Sequence, residues 1–461
     1  MIGFLWVDNL IYALFAGSMS FKKSILSTLG LNIYSFMLGF FNSIMSTRIL
    51  GAEGKGIFAI YTSSIELFAL ILGLGIPQAL IFFAARDTIA RNRLFYSSLL
   101  YVLAATLIFL VTVELSKAMG YQSFFLPAPF SSNTFKTTLV LNFSCLLGWH
   151  LLISILNGHK YFQQTNLISF ISISITFIIY TTMFYMVYSN HTVYEADGFY
   201  KVQLAVAAFT LVATIYFHAR LVGGWKGTAL VSGNEGGKIV QYGLVYFLSN
   251  LLLFANNKMD YWFVNYFTGS AALGLYVLSS NVALLLFLLP NAFGLVLSAF
   301  KANSDLMDME RHTAFLCRIT FLTTFLIALL LWLFSEPIIL LLFGKGFIGS
   351  VMPLRILLLG VVPFTTFTIL KNYFAGANHL SAFLKAALLG FVITLVMDIL
   401  LIKPYGIAGA AIATTLSYLI SASYLIYLFS IKTSKPWSDV VFFNAKDFHY
   451  TQQIIKSLFK P

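Results

Sequence analysis

Ile49-Leu50-Gly51-Ala52-Glu53-Gly54-Lys55-Gly56-Ile57-Phe58 closes one apolar run and opens the next, punctuated by Gly51 and Gly56. Displaced by 218 residues, the pattern returns as Phe267-Thr268-Gly269, then Gly274-Leu275-Tyr276. The same offset carries Asn157-Gly158 onto Ala375-Gly376. Identity between the copies is faint, but helix phase, loop length and turn glycine agree at both places, which marks an internal repeat. Six apolar runs make up each copy and return the chain to its starting side, so the copies share one orientation. The expectation is an all-α polytopic membrane protein of about twelve transmembrane helices, in two pseudo-repeated six-helix bundles facing one another with a path between them.

Composition supports this from the outside in. Of the 461 residues, 59% are hydrophobic and 10% charged, and mean hydropathy is +0.87. A water-soluble chain carries about 25% charged residues, so lipid must solvate this one. A bilayer core takes roughly 20 apolar residues per helix. The windows that meet this are 25–47, 57–83, 94–115, 135–156, 166–188, 199–219, 239–265, 271–297, 314–334, 352–374, 382–402 and 406–431. They divide the chain into an N-terminal extension (1–24), a first bundle (25–219), a cytoplasmic linker (220–238), a second bundle (239–431) and a cytoplasmic tail (432–461), polar and aromatic. The extension lacks the basic start of a signal peptide, and Met19, followed by Lys22 and Lys23, reads as a natural cytoplasmic start.

The net charge of +12 reads as topology, not as nucleic-acid binding. Basic residues concentrate in cytoplasmic loops. With Lys22 and Lys23 inside, 19 of the 28 Lys and Arg fall on the cytoplasmic side, Lys371 among them, and 9 do not, including Arg48, Lys55 and Lys258. Both termini are therefore expected in the cytoplasm. Cys145 and Cys317 lie in apolar runs without partners at metal or redox spacing and read as packing residues. Pro77, Pro290 and Pro363 stand inside spans, where each can kink its helix. Gly406 to Ala413 is rich in small residues, which let helices pack closely in lipid.

Charge inside a membrane is costly and usually functional. The clearest instance is Asn256-Asn257-Lys258-Met259-Asp260 in the seventh window. Lys258 and Asp260 are two residues apart and point to different sides of a helix, so one or both face an aqueous cavity. Asn256, Asn257 and Lys258 are candidates for binding a phosphate and its polar attachments, and Asp260 for ion coupling. The competing reading is a snorkelling pair at the outer rim, with Tyr261, Trp262 and Tyr266 as an aromatic belt. Arg48, at the end of the first helix, can grip a phosphate bidentately or simply anchor at the interface. Glu66 can carry a proton, since lipid favours a neutral carboxyl, or can pair with Arg48 or Lys258. Arg86, with Arg91 and Arg93, can meet a diphosphate at the cytoplasmic face, although topology alone accounts for the cluster. Asn142, His150 and Asp398 are weaker candidates. The sequence contains no GxxxxGK[ST] loop for ATP hydrolysis, and no metal site or cofactor is expected.

Three stretches resemble a known family. They are Arg48-Ile-Leu-Gly51-Ala-Glu-Gly54-Lys-Gly56; Leu340-Leu-Leu-Phe343-Gly344-Lys-Gly-Phe347 followed by Leu354-Arg-Ile-Leu357; and Tyr405-Gly406-Ile-Ala-Gly409-Ala-Ala-Ile-Ala-Thr414. Together they look like the polysaccharide transporters of the multidrug/oligosaccharidyl-lipid/polysaccharide flippase superfamily, from residue 20 or so to 431. The Lys258/Asp260 patch falls where that family often carries charge in helix seven, whereas the extension 1–19 departs from its pattern. The resemblance implies a MATE-like fold and a flippase for an O-antigen or other exopolysaccharide repeat. Its partners would be an undecaprenyl-diphosphate-linked oligosaccharide, a proton or sodium as coupling ion, membrane lipid and other polysaccharide assembly proteins, in the bacterial inner membrane. The alternatives are a drug or cation antiporter, disfavoured by the basic Arg48 and Lys258; a polysaccharide polymerase, which would need a large external loop; and a non-transporting scaffold.

Overall fold

The computed structural model describes residues 21–118, 133–190, 196–221, 229–288, 290–291, 306–376, 380–443 and 447. Met19 and most of the N-terminal extension lie outside them, as do the end of the expected span 271–297 beyond Asn291 and nearly all of the tail after residue 443. In lipid, backbone N–H and C=O groups must be satisfied within the segment, and the described residues form helices with no strand.

In order these are α1 (Phe21–Gly73), α2 (Ile76–Ala85), α3 (Arg91–Ala118), α4 (Asn133–Gly158), α5 (Phe162–Asn190), α6 (Ala196–Leu221), α7 (Gly233–Thr268) and α8 (Ser270–Leu284). The 3₁₀ turn Leu285–Phe287 follows, then α9 (Leu306–Leu333), α10 (Ser335–Phe343), the 3₁₀ segment Lys345–Ser350, α11 (Val351–Gly376), α12 (Leu380–Thr433) and α13 (Ser438–Val441). Among the described residues, ten stretches are long and apolar enough to cross a membrane. Two of these belong to α1 and α12, which bend at Gly51 and Gly406, so the ten stretches hold twelve spanning helices.

The repeat survives in element boundaries. α4 and α11 are displaced by 218 residues at both ends, and so are the first residues of α5 and α12. The kink glycines match too: Gly51 has φ 64° and ψ −176°, and Gly269, at the same offset, has φ 86° and ψ 170°. That region is open to glycine and strained for other residues.

Pro77 behaves differently from its expectation. The window 57–83 is two helices, because Leu74 and Gly75 both turn left-handed (φ 47° and 68°). Pro77 occupies the first turn of α2, where its missing N–H is no loss. It starts a helix and does not kink one. Pro363, by contrast, lies inside a continuous α11.

Two compact units emerge. The first comprises the described residues within 21–49, 64–118 and 133–247; the second comprises 50–63 and those within 248–447. In the first, Phe68, Phe109 and Phe143 form a ring stack, with centroids 4.9 and 4.4 Å apart. Gly158 lets α4 approach α2 so closely that a Cβ would lie 2.6 Å from Ala84 Cβ. Arg93 forks onto Glu235 at 2.5 and 3.2 Å, joining α3 to the start of α7.

In the second unit, the arm of α1 after the kink crosses α8 with almost no space between backbones. A Cβ on Gly56 would sit 1.8 Å from Ser270 O, and one on Gly274 would sit 1.8 Å from Ala52 O. Ala52 and Ser270 are themselves repeat equivalents. Each helix thus presents to the other the residues it receives, the isologous pattern of a local two-fold contact. Elsewhere a core of Cys317, Leu370, Tyr373, Phe383, Leu425 and Phe429 joins α9, α11 and α12. The start of the tail docks on it: Val440 of α13 is wholly buried, and Arg318 donates to Asp447 at 2.7 and 2.6 Å and to the Asp439 carbonyl.

Candidate functional site

A cavity of about 460 Å³ lies within the second unit. Four helical faces build it, each contributing residues at the three-to-four spacing that keeps side chains on one side. The arm of α1 supplies Lys55, Phe58 and Thr62; α7 supplies Leu253, Asn257, Lys258 and Tyr261; α8 supplies Val277 and Asn281; α11 supplies Phe364, Phe367, Thr368 and Lys371. Phe287 and Asn291 complete the lining. The polar content is three ammonium groups, three amides and hydroxyls, and no described lining residue is acidic.

Rigid aromatic packing supports this lining. Phe364 stacks on Tyr418 with centroids 4.0 Å apart and on Phe367 at 4.4 Å. Tyr418 in turn donates to Asn257 Oδ1 at 3.3 Å. The Lys258 ammonium lies 5.8 Å from the Phe254 ring centroid, within cation–π range. Lys55 is only 6% exposed although it lies about one turn after a sharp bend. Anions with polar attachments fit such a lining, and cations do not.

The other face of α7 carries different chemistry. Asn256 is buried and donates to Ala387 O at 2.8 Å, fastening α7 to α12. Asp260, four residues on, is 2% exposed. Its Oδ2 accepts from the Tyr276 hydroxyl and from Thr414 Oγ1, the latter at 3.3 Å. Asp398 of α12 is wholly buried within electrostatic reach of Asp260. Asp260 Oδ1 and both Asp398 oxygens have no hydrogen-bond partner among the described residues. Three unsatisfied carboxyl oxygens in a dry site are costly. A shared proton or a small cation relieves that cost. No cluster of three or more His, Cys, Asp or Glu side chains suited to a metal occurs among the described residues.

The site residues expected from the sequence therefore divide. Asn257 and Lys258 line the cavity, and Asn256 and Asp260 turn away from it. Arg48, Glu66 and Arg86 belong to the first unit. Arg48 is half-buried three residues before the backbone break at Gly51. Glu66 is half-buried within electrostatic reach of His150. Arg86 is exposed, its guanidinium 4.1 Å from the Phe82 ring centroid, and Phe82 stacks on Tyr242 at 4.4 Å. Asn142 is buried and donates to Tyr200 O at 3.4 Å. The aromatic-belt reading of Lys258 is not what the structure shows: Trp262 is wholly buried, Tyr261 nearly so, and Tyr266 alone of the three is exposed.

Sequence reasoning missed the roles of Lys55, Lys371, Tyr276 and Thr414. In the sequence, Lys55 and Lys371 entered only the charge count that sets topology. A signal was present in α11, where Phe364, Phe367, Thr368 and Lys371 hold one helical face.

The family described as "Polysaccharide biosynthesis protein" matches residues 21–297. Among solved structures, the lipid II flippase MurJ in an inward closed conformation superposes with TM-score 0.70 and 16% identity, over 94% of this chain and 92% of that one. An inward-facing multidrug resistance MATE family transporter of the MOP superfamily gives 0.65 and 15%, over 87% and 94%. A MOP superfamily transporter from Pyrococcus furiosus, reported with a binding pocket of reverse polarity, gives 0.59 and 15%, over 90% and 96%. At these identities the likeness is one of fold. No curated protein matches the chain by sequence.

Proposed function

From the premise that this chain belongs to the polysaccharide biosynthesis protein family, a multi-pass membrane family with a MurJ- and MATE-like fold in this member, we propose that it flips a polyprenyl-diphosphate-linked oligosaccharide across the bacterial inner membrane. The cargo is an O-antigen or other exopolysaccharide repeat unit, moved from the inner to the outer leaflet by ion-coupled alternating access, with both termini of the protein cytoplasmic. The protein acts as a carrier and makes no covalent bond. The observation that carries this reading is the cavity with Lys55, Lys258 and Lys371 and no acidic lining residue.

The cargo's parts fit the lining by chemistry. Ammonium groups neutralise the diphosphate, Asn257, Asn281 and Asn291 hydrogen-bond hydroxyls, and Phe364 and Tyr261 offer apolar faces to sugar rings. Arg48 and Arg86 of the first unit are further candidates for binding an anion, and Asn256 holds α7 in register. Asp260, with Asp398, takes up the coupling proton or sodium, and Glu66 of the first unit is a further candidate for carrying a proton. A drug or cation antiporter would need carboxylates in the lining, and none is there among the described residues.

Complementation tests the reading. The chain is expressed in a bacterium that lacks its own O-unit flippase but makes a compatible lipid-linked sugar, and polymerised surface polysaccharide is assayed. Restoration by the parent, lost in Lys258→Ala with the protein still inserted, is expected. Restoration that survives loss of Lys258, Lys55 and Lys371 together would overturn the cavity's role. Failure across several compatible sugars, with drug efflux instead, would favour the antiporter.

A further inference from the structure

A second cavity, of about 410 Å³, lies within the first unit, away from every residue given a transport role. Its walls are apolar, with Leu80, Leu94, Leu151 and Ile239 among them. One of its hydroxyls, Ser97 Oγ, is already engaged by the Val231 N–H at 2.8 Å. Its floor is bare backbone: Gly233 and Gly236 open α7, and a Cβ at Gly236 would meet nothing within 4 Å. The size falls in the range of about 300–1,000 Å³ typical of small-molecule sites.

Where the cavity opens decides what can enter. Leu100 and Ala104 line it and also stand on the outer face of α3. Leu100 is 53% exposed, in a stripe with Leu103, Leu107 and Val111 at 64, 63 and 55%. In a span this apolar that stripe faces hydrocarbon, so the cavity is continuous with the bilayer. The rim beside it keeps a net positive charge. α3 begins Arg91-Asn92-Arg93 and α7 carries an exposed Lys238, against two nearby acids, Asp87 held by Arg91 and Glu235 held by Arg93. Basic residues at a membrane surface attract anionic lipid.

We propose that this cavity receives one acyl chain of an anionic phospholipid, whose phosphate rests at the basic rim. A slim, unbranched chain suits a glycine floor better than a methyl-branched isoprenoid does. Bound there, the chain adds dispersion contacts to the apolar walls that an empty cavity forgoes.

The test uses the full chain in vesicles containing phosphatidylglycerol with a diazirine at the acyl terminus, followed by peptide mapping of the adducts. Adducts are expected on the α3 and α7 residues that line the cavity. Gly236→Leu fills the floor and should cut those adducts about tenfold, the scale of roughly 1.4 kcal/mol in binding. Gly237→Leu makes the same change one residue on, at a glycine with equally open surroundings that does not line the cavity; it should label like the parent. Equal labelling of both variants would overturn the proposal. So would equal labelling by a phosphatidylcholine probe, or labelling by a diazirine polyprenyl phosphate alone. Both variants should restore surface polysaccharide if the parent does, so this test and that of transport fail independently.

Discussion

Lys55 and Lys371 show how far a residue's identity underdetermines its role. In sequence each is one basic residue at the edge of an apolar run, and topology explains it. The structure brings both to one cavity with Lys258, because the bend at Gly51 starts a new helical arm that carries Lys55, and Lys371 shares one face of α11 with Phe364, Phe367 and Thr368. If the cavity binds diphosphate, Lys55→Met and Lys371→Met should each lower complementation about tenfold or more, the scale of losing one buried charge contact. Protein levels in membrane blots should hold, since replacing a buried charge by an apolar group of similar length is often neutral; collapse of the blot signal would assign the lysines a structural role instead. Asn256 to Asp260 was legible because four polar residues within five positions of an apolar run stand out. The partners of Asp260 were not, since Tyr276 and Thr414 read as ordinary residues of membrane helices. Outside the spans, the turn after α2 holds a pH-sensitive cluster. Asp87 is held below the usual carboxylate range by the hydrogen bond from Arg91, then by the charges of Arg91 and His159. His159, 3.6 Å from Asp87, is pushed below the ordinary histidine value by burial and by Arg91, and Asp87 only partly offsets this. A lowered folded-state pKa means that the unfolded chain takes up the proton first. Stability is then whole above about pH 6.5 and declines below it. Melting temperature in detergent should fall between pH 7.5 and 5.5 in the parent, and less in His159→Gln; parallel curves would remove His159 from the account.

At the scale of elements, the helices themselves were easy to read and their interruptions were not. Apolar windows locate spans because lipid demands them. Whether a glycine in or beside a window bends the chain depends on what packs against it. Gly51 and Gly269 take positive φ, and Gly56 and Gly274 stay helical but permit backbone contact; nothing local separates the two uses. The break at Leu74–Gly75 was hidden for the same reason, since Gly75 meets Gly243 O with only 2.0 Å to spare for a Cβ. The crossing at Gly56 makes a sharp prediction. A methyl group 1.8 Å from Ser270 O forces α1 and α8 apart, and overpacking of this severity costs about 3 kcal/mol or more. Gly56→Ala should therefore lower the detergent melting temperature strongly, as should Gly274→Ala. Gly346→Ala, with nothing within 4 Å, should melt like the parent. An unchanged melt for Gly56→Ala would mean that the crossing is looser than the backbone contact implies.

Across the whole molecule, the duplication copied a skeleton without copying its charges. The offset that aligns α4 with α11 and Gly51 with Gly269 also pairs Lys258 with Phe40, Lys371 with Ile153, Asp398 with Tyr180 and Asp260 with Asn42. These four ionisable groups thus sit in one copy, and the other keeps neutral residues at the same helical positions, with Lys55 the one cavity cation that it supplies. An ion-driven carrier needs only one site where binding and conformational preference are linked, because a ligand shifts an equilibrium only by its difference in affinity for the two states. Asn42 is informative here: it is buried at 8% exposure, and its Oδ1, like Asp260 Oδ1, lacks a partner among the described residues. The fold therefore tolerates a neutral amide at this helical position. Asp260→Asn makes one copy resemble the other, so it should insert and melt like the parent while losing the ion's leverage. In proteoliposomes loaded with the lipid-linked sugar, the parent should flip faster under an inward proton or sodium gradient, and whichever gradient works names the ion. The variant should flip at one slow rate with or without it, about tenfold below the driven parent, the equivalent of roughly 1.4 kcal/mol of lost coupling. A variant that still responds to the gradient would move the coupling role away from Asp260, leaving Glu66 beside His150 in the other copy as the group to change next.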